Sequence, residues 1–159
     1  MVRRRNPGVL WPRWRVRAVV RRVRHKILAD PLYLVEHHFL HGTWGQYCQV
    51  LGKLASKSFC EEITAHAPAG SEGMCAGIAF SKEEWTPRRR AVFYLFIDRE
   101  ARDPRQVLSH EALHAALAVM ELIGHEMRKG EGSEPLTYYH DWLVAEGMEV
   151  LGGSRKRRQ

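Results

Sequence analysis

The chain of 159 residues lacks any run of about 18 apolar residues, so no helix of it is long and apolar enough to span a bilayer. Cysteine is scarce: Cys48, Cys60 and Cys75 are odd in number and show no C-x-x-C spacing. That argues against a disulfide framework and against a structural zinc site built from thiolates, and it fits reduced thiols in a cytoplasmic protein. Acidic residues are missing from positions 1–26, where Arg13, Arg15 and Arg17 also break up any apolar stretch that a secretory signal would need. Apolar residues are not in short supply. They make up 45% of the chain and include fifteen aromatics, too many for a chain disordered throughout.

The formal charge of +7 conceals a division. Residues 1–26 hold ten of the 25 basic side chains, and Arg155, Lys156, Arg157 and Arg158 add four. The segment 27–154 keeps the other eleven with all 18 acids, a net −7. The chain therefore reads as an acidic body with basic ends: a basic arm and amphipathic helix over 1–29, one domain over 30–154, and a basic tail over 155–159.

Residues 13–29 place Trp14, Val16, Val19, Val20, Val23, Ile27 and Leu28 near helical spacing among arginines, which predicts a basic amphipathic helix. Asp30 and Pro31 either stop it or cap a second helix over 31–41, ended by Gly42. A third helix is expected over about 44–57, while 59–66 is ambiguous and 67–73 reads as a loop. Met74–Phe80 and Ala91–Ile97 read as strands paired in an antiparallel hairpin. Asp103 and Pro104 open the best-marked helix, which Gly124 closes. A last helix runs from about Pro135 to Leu151.

Inside the capped helix lies His110-Glu111-Ala112-Leu113-His114, an H-E-x-x-H pattern. Side chains at i and i+4 leave a helix on one face, so two imidazoles there can reach one metal ion at about 2.0–2.1 Å. Glu111 leaves on an adjoining face, where it can take a proton from water activated by the metal. Random order of this composition yields the pattern only about 0.04 times. A catalytic zinc needs a third protein ligand. Glu134, twenty positions after His114, is the leading candidate, with Glu146, Asp141 and His140 as alternatives further along the last helix. His37 and His41 are also four apart, but no glutamate lies between them, and helix-surface or partly buried histidines account for that cluster.

On these residues the chain resembles the zincin metallopeptidases of the gluzincin arrangement, in which H-E-x-x-H is followed about 20 residues later by a glutamate on a second helix. Residues 107–144 more narrowly resemble small metallopeptidase-like proteins encoded by bacteriophages and prophages, with Glu134-Pro135-Leu136-Thr137-Tyr138 in the place of their acidic E-x-x-A-Y-like stretch. The asparagine and aspartate that flank the glutamate ligand in larger gluzincins are Ser133 and Tyr138 here.

Together these features lead to an expected α+β, zincin-like domain. It has N-terminal helices, a small antiparallel or mixed sheet, an H-E-x-x-H helix and a C-terminal helix. The expected activity is a zinc-dependent peptidase acting on a peptide or protein substrate. His110, His114 and Glu134 hold Zn2+ and Glu111 is the general base. Tyr138 stabilises the oxyanion or, alternatively, packs the last helix. Two other readings compete: a zinc-binding protein without catalysis, and a nonspecific nucleic-acid-binding protein. Residues 1–26 and 155–158, with Trp11 and Trp14, suit nucleic acid, an acidic protein surface or an anionic membrane surface.

Overall fold

Among the described residues the stretch Ala91–Asp98 is the most continuously buried, and it becomes an interior strand of the sheet around which the rest is built. The structure, a computed structural model, describes residues 23–30, 32–65, 72–78, 90–125 and 133–152. The elements in chain order are β1 (Arg24–Asp30), β2 (Val35–Gly42), α1 (Trp44–Leu54), α2 (Lys57–Ala65), β3 (Gly73–Ile78), β4 (Ala91–Asp98), α3 (Pro104–Leu122) and α4 (Ser133–Gly147). The protein is thus α+β, with four helices and a four-stranded mixed sheet among the described residues.

The strand order is β1-β2-β4-β3, with β2 and β4 parallel and both outer pairs antiparallel. Because side chains alternate across a strand, β4 divides its own residues between two cores. Phe93, Leu95 and Ile97 join Val35, Phe39 and the inner faces of α3 and α4, while Tyr94 and Phe96 join Leu40 and α1. The two helix pairs therefore cover opposite faces of the sheet, which buries the interior strands on both sides. The expected antiparallel pairing of the runs beginning at Met74 and Ala91 is present as β3 with β4.

Where the described residues cover the two expected N-terminal helices, they form strands. Residues 24–29, expected in the basic amphipathic helix, lie in β1, and 35–41, expected in a second helix, lie in β2. Residues 1–22 and 153–159 lie outside the described residues, and so do the rest of the expected amphipathic helix and the basic tail. Asp30 does cap, but it caps a turn: its Oδ1 accepts from the N–H groups of Leu32 at 2.7 Å and Tyr33 at 3.3 Å. Leu34 then takes φ +53° to bring the chain back as β2. Lys26 reaches across to Glu146 and Glu149 at 2.7 and 3.0 Å, and Arg24 donates to the Val150 carbonyl. Two basic residues counted with the arm thus tie β1 to the end of α4.

His37 and His41 accordingly share one face of a strand, about 13 Å apart along it, and cannot act as a one-turn chelating pair. His37 is fully buried, and its Nε2 lies 2.8 Å from the Tyr139 hydroxyl. Burial pushes its pKa from 6.5 down to about 4. The folded chain resists a proton that the unfolded chain accepts, so stability is full above pH 6.5 and falls as pH drops through that window. The expected loss by pH 4 is up to about 3 kcal/mol. Urea midpoints of the parent and His37→Gln at pH 7 and pH 4.5 check it: the parent should lose more stability than the variant.

Candidate metal centre

The helix that carries H-E-x-x-H is fixed at both ends by local chemistry. Asp103 Oδ1 accepts from the N–H groups of Arg105 and Gln106, and Pro104 follows at the first helical position. At the other end Gly124 takes φ +71°. Its N–H donates to the Glu121 carbonyl and that of His125 donates to Met120, a Schellman closure. Between these ends Leu108, Ala112, Ala115, Ala116, Val119 and Met120 are buried against the sheet and α4. That register leaves His110 and His114 on the solvent side and turns Glu111 inward.

His110 Nε2 and His114 Nε2 lie 3.1 Å apart, with the rings edge to face. Either one N–H donates to the other's lone pair, or both lone pairs converge on a cation. Two nitrogen donors at about 2.0–2.1 Å from a tetrahedral ion stand about 3.3 Å from each other, so the pair fits zinc without moving far. Among the described residues no group of three or more His, Cys, Asp or Glu side chains is gathered to hold a metal.

Glu111 is 7% exposed and sits between α3 and β3. Burial raises its pKa, while His110, His114 and the backbone N–H of Cys75 act the other way by favouring the carboxylate. Gly73, at the start of the same strand, lies so close that an added Cβ would stand 2.4 Å from Val107 Cγ1 and 2.9 Å from Glu111 Oε1. A side chain there would displace the carboxylate. Gly73 and Glu111 line a cleft of about 440 Å³ together with Glu72, Gln106, Val107 and His110. The site is therefore a pair of solvent-facing imidazoles beside a half-desolvated carboxylate, which the outer strand of the sheet holds by one main-chain hydrogen bond.

No protein-family model, curated protein or solved structure matches the chain.

The remaining sequence candidates are distributed along α4. Glu134 is exposed in its first turn. His140 packs on α3 at Ser109, with Nε2 3.1 Å from the Ser109 carbonyl oxygen and Nδ1 3.2 Å from Asp141 Oδ1. Glu146 is committed to Lys26 at 2.7 Å. Tyr138 is 72% exposed and lines a different cleft, with Asp30, Tyr33, Tyr139 and Trp142. Cys75 is no nucleophile: burial, with a further push from Glu111, raises its thiol to about 12.

Two participants escaped the sequence reading. Gly73 and the Cys75 N–H position Glu111, and the only signal for them is a glycine opening a strand run, a usual mark of close approach by another group.

Proposed function

We propose that the protein is a zinc-dependent hydrolase of zincin type that cleaves peptide bonds, with zinc held by His110, His114 and Glu134. The observation that carries this reading is the convergence of two imidazole Nε2 atoms at 3.1 Å beside a buried glutamate of raised pKa. A structural histidine pair has no need of a desolvated carboxylate one residue away, whereas hydrolysis does. Zinc, when bound there, supplies a Lewis acid and a water ionised near neutral pH. Glu111 would then be the group that takes up a proton from the attacking water at its carboxylate and returns it to the leaving amine.

The sheet supports a peptide as substrate. Among the described residues β3 has no strand on its outer side, and its Cys75 N–H points across that side to Glu111. An extended chain laid along such an edge gains main-chain hydrogen bonds and brings its carbonyls past the base. The order of elements, an antiparallel outer strand, an inner strand and then the histidine helix, makes this juxtaposition a product of the chain's path.

Metal content and chelation test the reading. After exchange into zinc-containing buffer and gel filtration, the full chain should carry about one zinc, and His110→Ala or His114→Ala should carry less than about a tenth as much. A chelator should abolish hydrolysis of a peptide library and added zinc restore it. A parent chain holding well under one zinc removes the proposal.

A further inference from the structure

A second cleft, of about 310 Å³, is walled by Tyr33, Tyr138, Tyr139 and Trp142 and has Asp30 in its lining. We infer that this cleft binds an organic cation with a methylated ammonium head. The inference stands on its own residues and does not depend on the zinc reading.

Two features point to a cation. The first is the wall. Tyr139 packs edge-on against Tyr33 and tilted against Trp142, with ring centroids 5.4 Å away in each case, and these three rings line the cleft together with Tyr138. Aromatic faces attract a cation within about 6 Å, most strongly when the cation is already poorly hydrated. The second is the carboxylate. Asp30 is 4% exposed, and among the described residues no lysine or arginine pairs with it. Its oxygens are held in place by the N–H groups of Leu32 and Tyr33 and by the Tyr139 hydroxyl. That hydroxyl is anchored in turn by His37 Nε2 at 2.8 Å, which makes the assembly rigid. Among the described residues this buried carboxyl has hydrogen-bond donors but no cation beside it, and a cation in the cleft supplies one.

The kind of cation follows from hydrogen bonding. Three donors already occupy the Asp30 oxygens, and the wall is otherwise aromatic and apolar. A primary ammonium entering here leaves behind water that the cleft cannot replace with acceptors. A methylated ammonium has few or no N–H groups to satisfy, loses little hydration, and spreads its charge over methyl groups that fit against ring faces. Tyr138 then has a reason to stand 72% exposed at the mouth of the cleft.

Choline and 3,3-dimethylbutan-1-ol are nearly the same shape and differ in charge, which makes them the decisive pair of probes. Titration of the full chain with choline, followed by the Trp142 indole N–H resonance, should saturate. The neutral alcohol should bind at least about tenfold more weakly, and ethylammonium should do the same. Tyr138→Leu changes an exposed position and keeps the fold, yet should weaken choline binding by about fivefold or more. Asp30→Asn should remove the preference for choline over the alcohol. Absence of saturable choline binding, equal binding of the alcohol, or ethylammonium binding as tightly as choline would each overturn the assignment.

Discussion

Glu111→Gln should slow peptide hydrolysis by about 10²–10⁴-fold while zinc content stays at the parent level. The substitution keeps the shape of the side chain, and the Gln Oε1 can still accept from the Cys75 N–H that the carboxylate accepts from now. What disappears is the capacity to bind and release a proton. The environment of Glu111 suits that capacity. Burial between α3 and β3 raises its pKa from the usual carboxylate value, and the neighbouring imidazoles keep the rise from going further. A surface glutamate lies too low to hold a proton in transit at neutral pH, and a deeply buried, unassisted one lies too high to accept it. Rates measured by product release, alongside metal content of the same samples, separate the outcomes. Parent and variant that are equally inactive on a broad library, with zinc bound in both, leave a zinc protein without hydrolysis. A variant as fast as the parent removes Glu111 from the reaction.

The histidine helix was legible because its signals are local. Asp103, Pro104 and Gly124 act within one turn of the residues they cap, so nothing distant can overrule them. β4 was legible because Val92, Phe93, Tyr94, Phe96 and Ile97 favour a strand and its length suits no helix. β2 was not, for a related reason. With both faces covered it loses the alternation of polar and apolar residues, and the pattern Val35, His37, His38, Phe39, Leu40 fits a helix face equally well. Its state is decided by β1 and β4 on either side, which lie far away in the sequence or on a segment read as basic arm. β1 hides for a different reason: the residues that turn inward, Lys26, Leu28 and Asp30, are mostly charged, and Lys26 pairs with Glu146 on α4 while Arg24 donates to the Val150 carbonyl just beyond it. At the site, the identity of His110, Glu111 and His114 could be read from five residues. What holds Glu111 in position is a backbone N–H and a missing side chain at Gly73, and neither leaves a residue type to recognise.

The choice among third ligands carries the second large effect. Glu134→Ala should weaken zinc binding by more than about 100-fold and abolish hydrolysis, whereas His140→Ala should change zinc affinity by less than about threefold. His140 is the nearer rival, since it packs beside Ser109, the residue before His110. Its Nε2 faces a carbonyl oxygen, however, and a nitrogen that donates a proton to a carbonyl has no lone pair to give a metal. Its Nδ1 lies 3.2 Å from Asp141 Oδ1, so that carboxylate stands in front of the ring's other nitrogen. Glu146 is 18% exposed on its side chain and bonded to Lys26, so recruiting it leaves a half-buried ammonium without its closer carboxylate. Glu134 is not gathered with His110 and His114 in the structure, but alone among the four it is an exposed carboxylate in the first turn of α4, and it bears no such commitment to α3 or β1, so zinc binding has the least to undo in recruiting it. Competition against a chromogenic zinc chelator gives the affinities of both variants directly. Loss of zinc in His140→Ala with retention in Glu134→Ala moves the third ligand to His140. Retention in both means that zinc is held without either residue, and the three-ligand assignment falls.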